Sequence, residues 1–333
     1  MQSYLMELLA CPICHGELKW TITESRNERI ESASAHCDEC YVTYPVREGI
    51  GLFVRPDSTV QDAWEQAESG IVRYLKNQPA LMAQLLDRPL EMLNPADQFF
   101  RAMLHEDAGH FATAKLVEQV AMRGMYTPDF LRCSQCQYEY ILNALAGGTE
   151  PILDLASGRG YLVEQMAKSL DRPLIVTDIS PRVLRRNQQC YEQAGLGHKM
   201  SFLAFDARYI PFKNDTIPVM TSNVGLANIE SPGDLVRELH RVVSNHIYAV
   251  HHFYPTTDEA NQAALTQLNL IELMIRESAL ALFEQAGWRI EFVNVCAGKA
   301  VPTPASAILD GARIDGLPVA ETVLEWGVLV ARK

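Results

Sequence analysis

Nothing in the 333 residues approaches the roughly 18 continuous apolar positions of a membrane-spanning helix, so no membrane protein is expected. The opening stretch, Met1 to Pro12, has neither a basic region nor a long apolar core, which argues against a secretory leader and for a cytoplasmic protein. Low-complexity tracts and internal repeats are also missing, and this excludes a disordered linker or a solenoid. Positive charge is scarce. The net charge is −12, half of it on residues 57–150, and no Lys/Arg stripe appears apart from Arg182, Arg185 and Arg186 on one helix. Proteins that grip phosphate backbones offer such a stripe, because neutralising phosphates releases counterions, so the charge balance disfavours a nucleic-acid substrate.

What is present is an ordinary globular composition, 48% hydrophobic and 21% charged, over a length that suits a small module plus one larger unit. Residues 1–56 are short, Cys-rich and turn-rich. Residues 57–146 read as helical: Gln98 to Arg123 carries Phe99, Phe100, Met103, Leu104, Phe111, Ala114 and Val117 at roughly helical spacing. A further helix is expected from Thr127-Pro128, with a capping hydroxyl ahead of proline, to Gly147-Gly148. Residues 147–333 alternate strands with helices, the pattern of an α/β fold with an open, largely parallel sheet. Strands are expected at Pro151–Leu155, Leu174–Thr177, Met200–Ala204, Val219–Ser222 and His246–Phe253, and Asp258 to Ile275 is an extra helical piece and a candidate lid.

Four of the eight cysteines form two tight pairs, Cys11-Pro-Ile-Cys14 and Cys37-Asp-Glu-Cys40. Each C-x-x-C turn aims two thiolates at one point, and two turns complete a tetrahedron for Zn²⁺ with no position left for water. Such a site is structural. His15 and His36 adjoin the pairs as alternative ligands of poorer geometry. With Leu8-Leu-Ala ahead of the first pair and Tyr44-Pro-Val-Arg-Glu-Gly-Ile50 after the second, this region resembles a family of short zinc-ribbon proteins. Eukaryotic members of that family activate several methyltransferases. The resemblance implies a ribbon that stabilises a methyltransferase or contacts its substrate, and not one that catalyses. Its own net charge of −3 makes phosphate contact unfavourable, so it is expected to pack on the helical segment or on a protein partner. A bacterial rRNA guanine methyltransferase also carries an N-terminal ribbon, which keeps an RNA substrate as an alternative. Cys133 and Cys136 form a third pair, expected inside a helix as part-buried residues; a metal or redox role would need Cys190 and Cys296, which taken singly read as core residues, to converge on them.

Ile152-Leu-Asp-Leu-Ala-Ser-Gly-Arg-Gly160 resembles the first motif of class I S-adenosylmethionine (SAM)-dependent methyltransferases, where an acid ends the first strand and a D-x-G-x-G-x-G turn opens the first helix. Small residues let the backbone turn and the cofactor approach. Here Asp154, Ala156, Gly158 and Gly160 occupy the pattern, alanine replacing the first glycine. The resemblance implies a seven-stranded Rossmann-like methyltransferase sheet, Asp154 near the methionine amino group, Asp178 on the ribose hydroxyls, Asp206 on the adenine amino group and the Ala207 amide on the ring. Ile179 and Asn223 complete the expected cofactor set. A small or medium-sized acceptor is the leading expectation, with a non-catalytic SAM-binding protein as a further alternative. For a base, Ala249-Val-His-His-Phe253 offers His251 and His252, one of which should face the site because strand side chains alternate.

Overall fold

The computed structural model describes residues 1–56 and 69–333; the first part of the expected helical region, residues 57–68, lies outside the described residues. The ribbon opens with a single turn of helix, α1 (Leu5–Leu8), followed by β1 (Lys19–Arg26), β2 (Arg29–Cys37), β3 (Val42–Arg47) and β4 (Ile50–Leu52), paired antiparallel in chain order. Its own core is small: Phe53 stacks on Tyr44 with ring centroids 5.6 Å apart and meets the edge of Trp20 at 6.3 Å.

A helical stretch follows, α2 (Gly70–Lys76), α3 (Pro79–Asp87), α4 (Pro95–Asp107), α5 (Phe111–Met125) and α6 (Pro128–Leu145). The periodic segment Gln98 to Arg123 is therefore two helices rather than one. Gly109 turns between them with φ 77°, and the His110 N–H donates to the His105 carbonyl at 2.8 Å. Periodicity alone could not show the break, because the apolar faces of both helices keep the same spacing on either side of it. Thr127 Oγ1 caps α6 by accepting the Phe130 N–H at 3.1 Å, as its position before Pro128 predicts.

The α/β unit comprises β5 (Ile152–Asp154), α7 (Tyr161–Ser169), β6 (Leu174–Asp178), α8 (Pro181–Gln193), β7 (Met200–Ala204), β8 (Ile217–Asn223), α9 (Pro232–Val242), β9 (Val243–Phe253), α10 (Glu259–Gln267), α11 (Ile271–Met274), α12 (Arg276–Gln285), β10 (Arg289–Ala300) and β11 (Thr322–Arg332). The strands run in the order β7-β6-β5-β8-β9-β11-β10, parallel through β9, with β11 antiparallel to both its neighbours. The central strands β6 and β7 are buried almost throughout, on both faces, as parallel strands require. Strand order reverses at β5 and β8, and ligands of such sheets bind at the carboxyl ends of strands beside that reversal.

Seven strands are as expected, but the sheet has eleven. β4 of the ribbon pairs parallel with β7, in the register Ile50↔Phe202, Gly51↔Leu203 and Leu52↔Ala204, so the ribbon continues the sheet. Rather than packing on the helical segment, it covers the sheet edge of its own chain. Gln188 on α8 donates to the Glu48 carbonyl at 3.0 Å, and Arg29 donates to the Gly197 carbonyl at 3.1 Å. An edge strand offers unpaired backbone groups, which is the physical reason for the ribbon to settle there.

One long connection has no counterpart in the sequence reading. Residues 301–318, between β10 and β11, cross back to the helical region, where Ile308 and Leu309 join a second core with Leu75, Leu85 and Phe100. The buried Asp97 carboxylate holds this connection by accepting from Ser306 Oγ and from the Ala307 N–H at 3.2 Å.

Candidate functional site

The four cysteine sulfurs of the two C-x-x-C pairs lie within 4.8 Å of one another, and Cys14 and Cys37 are 3.5 Å apart. A Zn–S distance of ~2.3 Å sets S···S edges of ~3.8 Å in a tetrahedron, so the cluster fits the ion with little movement. The Ile13 and Gly16 N–H groups reach the Cys11 and Cys14 sulfurs at 3.5 and 3.4 Å, the backbone turn that stabilises thiolates. His36 is engaged elsewhere, its Nδ1 2.9 Å from Thr43 Oγ1. Cys133, Cys136, Cys190 and Cys296 join no such cluster among the described residues.

At the carboxyl ends of β5, β6, β7 and β8 lies a cavity of 410 Å³, lined by Ala156, Gly158, Asp178, Ile179, Asp206 and Ala207 together with Gly225, Asn228 and Glu230. Asp178 closes β6. One carboxylate oxygen accepts the Gly158 N–H at 3.0 Å and the other the Ser180 N–H at 2.9 Å, while burial pushes its pKa up. Each oxygen keeps a lone pair free. Above Gly158, a Cβ would meet nothing within 4 Å, so the turn leaves open space on the cavity side. At Gly160, φ 77°, a Cβ would stand 1.9 Å from Tyr191 Oη, which itself donates to the Gly160 carbonyl at 3.0 Å. Asp206 forms a forked ion pair with Arg208, Nε 3.0 and 3.1 Å from the two carboxylate oxygens.

Three expected cofactor residues stand apart from this wall. Gly160 shapes the turn from behind. Asp154 is 1% exposed beneath it, accepts Thr221 Oγ1 at 2.6 Å, and is pushed up to about 6 by burial. Asn223 lines a different cavity, and its Nδ2 donates to Tyr138 Oη at 3.1 Å.

Ala156 shows why glycine suits its position: its φ is 52°. A left-handed alanine costs on the order of 1–2 kcal/mol, partly offset because glycine loses about 0.5–1 kcal/mol more backbone entropy on folding. Ala156→Gly is therefore expected to stabilise the protein by about 0.5–1 kcal/mol. A urea midpoint that falls in this variant would show that the strain is illusory.

The second cavity, 520 Å³, shares Asn228 with the first and continues past the end of β8. Tyr126, Phe130, Tyr138, Tyr254 and Trp326 dominate its wall; Leu268, Leu270 and Met274 from the candidate lid and Ile314 to Pro318 from the long connection close it. Sequence reading missed most of these residues, because they come from α5, α6 and a loop with no motif. Of the two histidines, His252 lines this cavity, its ring 4.7 Å from that of Trp326. His251 points to the opposite face of β9, where Nε2 donates to the Leu273 carbonyl at 2.7 Å, so it faces neither cavity. His252 Nδ1, Trp326 Nε1 and Asn223 Oδ1 have no hydrogen-bond partner among the described residues.

Burial lowers the pKa of His251 from 6.5 to about 4 and that of His252 to about 3. Unfolded, each histidine takes up a proton near pH 6.5; folded, each stays neutral to much lower pH. Their effect on stability is thus absent above pH 6.5. Below it the unfolded state is favoured by up to about 1.4 kcal/mol per pH unit for each histidine, until the folded values are reached. His252→Gln should flatten the fall in stability between pH 6.5 and 4, read from urea titrations at each pH. An unchanged slope would mean that His252 is solvated.

The open twisted sheet with a final antiparallel strand and a glycine-turn cavity at its reversal point defines a Rossmann-like methyltransferase fold. Residues 152–246 match the family model described as a methyltransferase domain, and residues 2–49 match that of Trm112p-like proteins. The chain thus carries a class I methyltransferase domain and a Trm112p-like zinc ribbon. The demethylmenaquinone methyltransferase of Chlamydia muridarum is 29% identical over 101 residues, 30% of this chain and 42% of that protein. The protein of the same name from Chlorobaculum tepidum is 32% identical over 100 residues, 30% of this chain and 39% of the relative. The chain therefore spans about two fifths of the length of these curated relatives. Among solved structures, the YcgJ protein of Bacillus subtilis is 14% identical, with 60% of this chain and 98% of that one covered and a TM-score of 0.48.

Proposed function

We propose that the protein is a SAM-dependent methyltransferase acting on a small or medium-sized molecule. The observation that carries this reading is that two cavities share Asn228: one over the glycine turn that holds the carboxylates Asp178 and Asp206, and one beyond β8 with an aromatic wall. Methyl transfer is an in-line displacement at the sulfonium carbon, and it needs the acceptor held directly beside the cofactor. SAM supplies the methyl group. Ala156, Gly158 and Ile179 would flank its nucleoside, Asp178 would take the ribose hydroxyls on its free lone pairs, and Asp206 and Ala207 would meet the adenine. Asn223 would stand between cofactor and acceptor, with Asp154 and Gly160 supporting the turn from below. His252 serves as a neutral wall residue in this reading, since a base with so low a pKa takes a proton poorly near pH 7. Residues 1–56 form the zinc ribbon, residues 57–146 the cap and residues 147–333 the catalytic unit. Eight cysteines with no disulfide among them suit a reducing, cytoplasmic setting.

Labelled SAM incubated with the protein and a cell extract, then fractionated into RNA, protein and metabolites, tests the proposal. Label is expected in the metabolite fraction. Label in RNA, together with submicromolar and salt-sensitive retention of cellular RNA at about 150 mM salt, would favour an RNA methyltransferase. Tight SAM binding with no transfer to any fraction would point to a regulatory protein.

A further inference from the structure

The larger cavity is unusual in its charge. Among the described residues on its wall there is no Lys or Arg, and a single carboxylate, Asp315, projects from the connection between β10 and β11. That carboxylate is half-buried. Its hydrogen-bond partner is Tyr126 Oη at 2.5 Å, and burial raises its pKa with nothing but this phenol to oppose the rise. Tyr254, whose own pKa rises through burial and, to a smaller extent, through the charges of Asp258 and Asp315, stands on the same wall. His252 adds no positive charge there, because burial keeps it neutral.

A carboxylate taken out of water without a cation is costly, and proteins normally pair it. Here the cation is missing from the protein side. The rest of the wall is rich in aromatic faces, from Tyr126, Phe130, Tyr138, Tyr254 and Trp326, and such faces attract a positive charge while excluding water. Anionic acceptors would meet Asp315 with no compensating base. Resting on the methyltransferase reading above, we propose that the acceptor carries a basic amine as its anchor: a largely apolar molecule whose protonated amino group pairs with Asp315 and lies against the surrounding rings, the methyl group going to another atom of that molecule.

The family model reaches only part of this cavity. The matched segment, residues 152–246, contributes Tyr161, Asn223, Val224, Ala227 and Asn228 to the cavity. Asp315, Tyr126, Phe130, Tyr254 and Trp326 all lie outside it.

Three probes of matched shape, 4-phenylbutylamine, 4-phenylbutanol and 4-phenylbutyrate, titrated calorimetrically into the full-length zinc-loaded protein, decide the matter. The amine should bind at least roughly tenfold more tightly than the alcohol, as expected for a charge-assisted over a neutral contact, and the carboxylate should not bind. Asp315→Asn should abolish the difference between amine and alcohol while leaving SAM affinity unchanged. An alcohol that binds as well as the amine, a preference that survives Asp315→Asn, or no binding by any probe would each overturn the proposal. The comparison on the unmodified chain stands even if the variant misfolds. SAM binding in the same protein keeps the two readings separate: its absence removes the methyltransferase assignment, whereas its presence without an amine preference removes this inference alone.

Discussion

Asp178→Ala is expected to weaken SAM binding by roughly ten- to a hundredfold, the equivalent of a charge-assisted hydrogen-bond loss of about 1.5–3 kcal/mol. Two effects add. The carboxylate's free lone pairs are lost to the ribose, and the Gly158 and Ser180 N–H groups that it holds at 3.0 and 2.9 Å lose their acceptor, which loosens the turn itself. Asp178→Asn separates them, since its oxygen retains one acceptor while the charge disappears; it should fall between wild type and alanine. Gly158→Val acts by a different route. Its φ of 51° is a genuine strain for a β-branched residue, and the valine side chain would enter the space that is open above the turn. Wild-type affinity by calorimetry in both Asp178→Ala and Gly158→Val would place the cofactor elsewhere.

The legible parts of the molecule were those written in local chemistry. Both C-x-x-C pairs, the acid-and-glycine turn and the strands Leu174–Asp178 and Met200–Ala204 each declare themselves within a few residues, because a metal turn, a tight glycine turn and a doubly buried strand each restrict residue type locally. The acceptor cavity was not legible. Its wall joins Tyr126 and Asp315 across 189 residues of sequence, and neither sits in a motif. The histidine pair shows the boundary between the two cases. Alternation predicted that one ring faces the site, but which one depends on the register of β9 against β11, where His252 pairs with Trp326 and His251 with Gly327. That register is a tertiary fact. The seating of the ribbon belongs to the same class, since a short strand such as Ile50–Leu52 carries no mark of its partner β7.

That seating gives metal removal its expected consequence. Purified protein should hold about one zinc per chain on Cys11, Cys14, Cys37 and Cys40. Chelation should unfold the ribbon, because a structural zinc contributes on the order of 10–16 kcal/mol to such small modules and their own core is slight. The effect should not stop at residue 56. The Phe53 N–H donates to the Ala204 carbonyl at 2.8 Å, the Ala10 N–H to the Pro211 carbonyl at 3.0 Å, and the Lys213 N–H to the Leu8 carbonyl at 2.9 Å. These bonds hold both ends of the segment 205–212, which carries Asp206 and Ala207 into the smaller cavity. With the ribbon unfolded, β7 becomes an exposed edge and this segment loses its anchors. Hydrogen exchange should therefore quicken across residues 200–213 as well as across the ribbon, and SAM affinity should fall although Asp178 is untouched. A chelated, metal-free protein that keeps its exchange protection over both regions would show that the thiols hold the ribbon together without an ion.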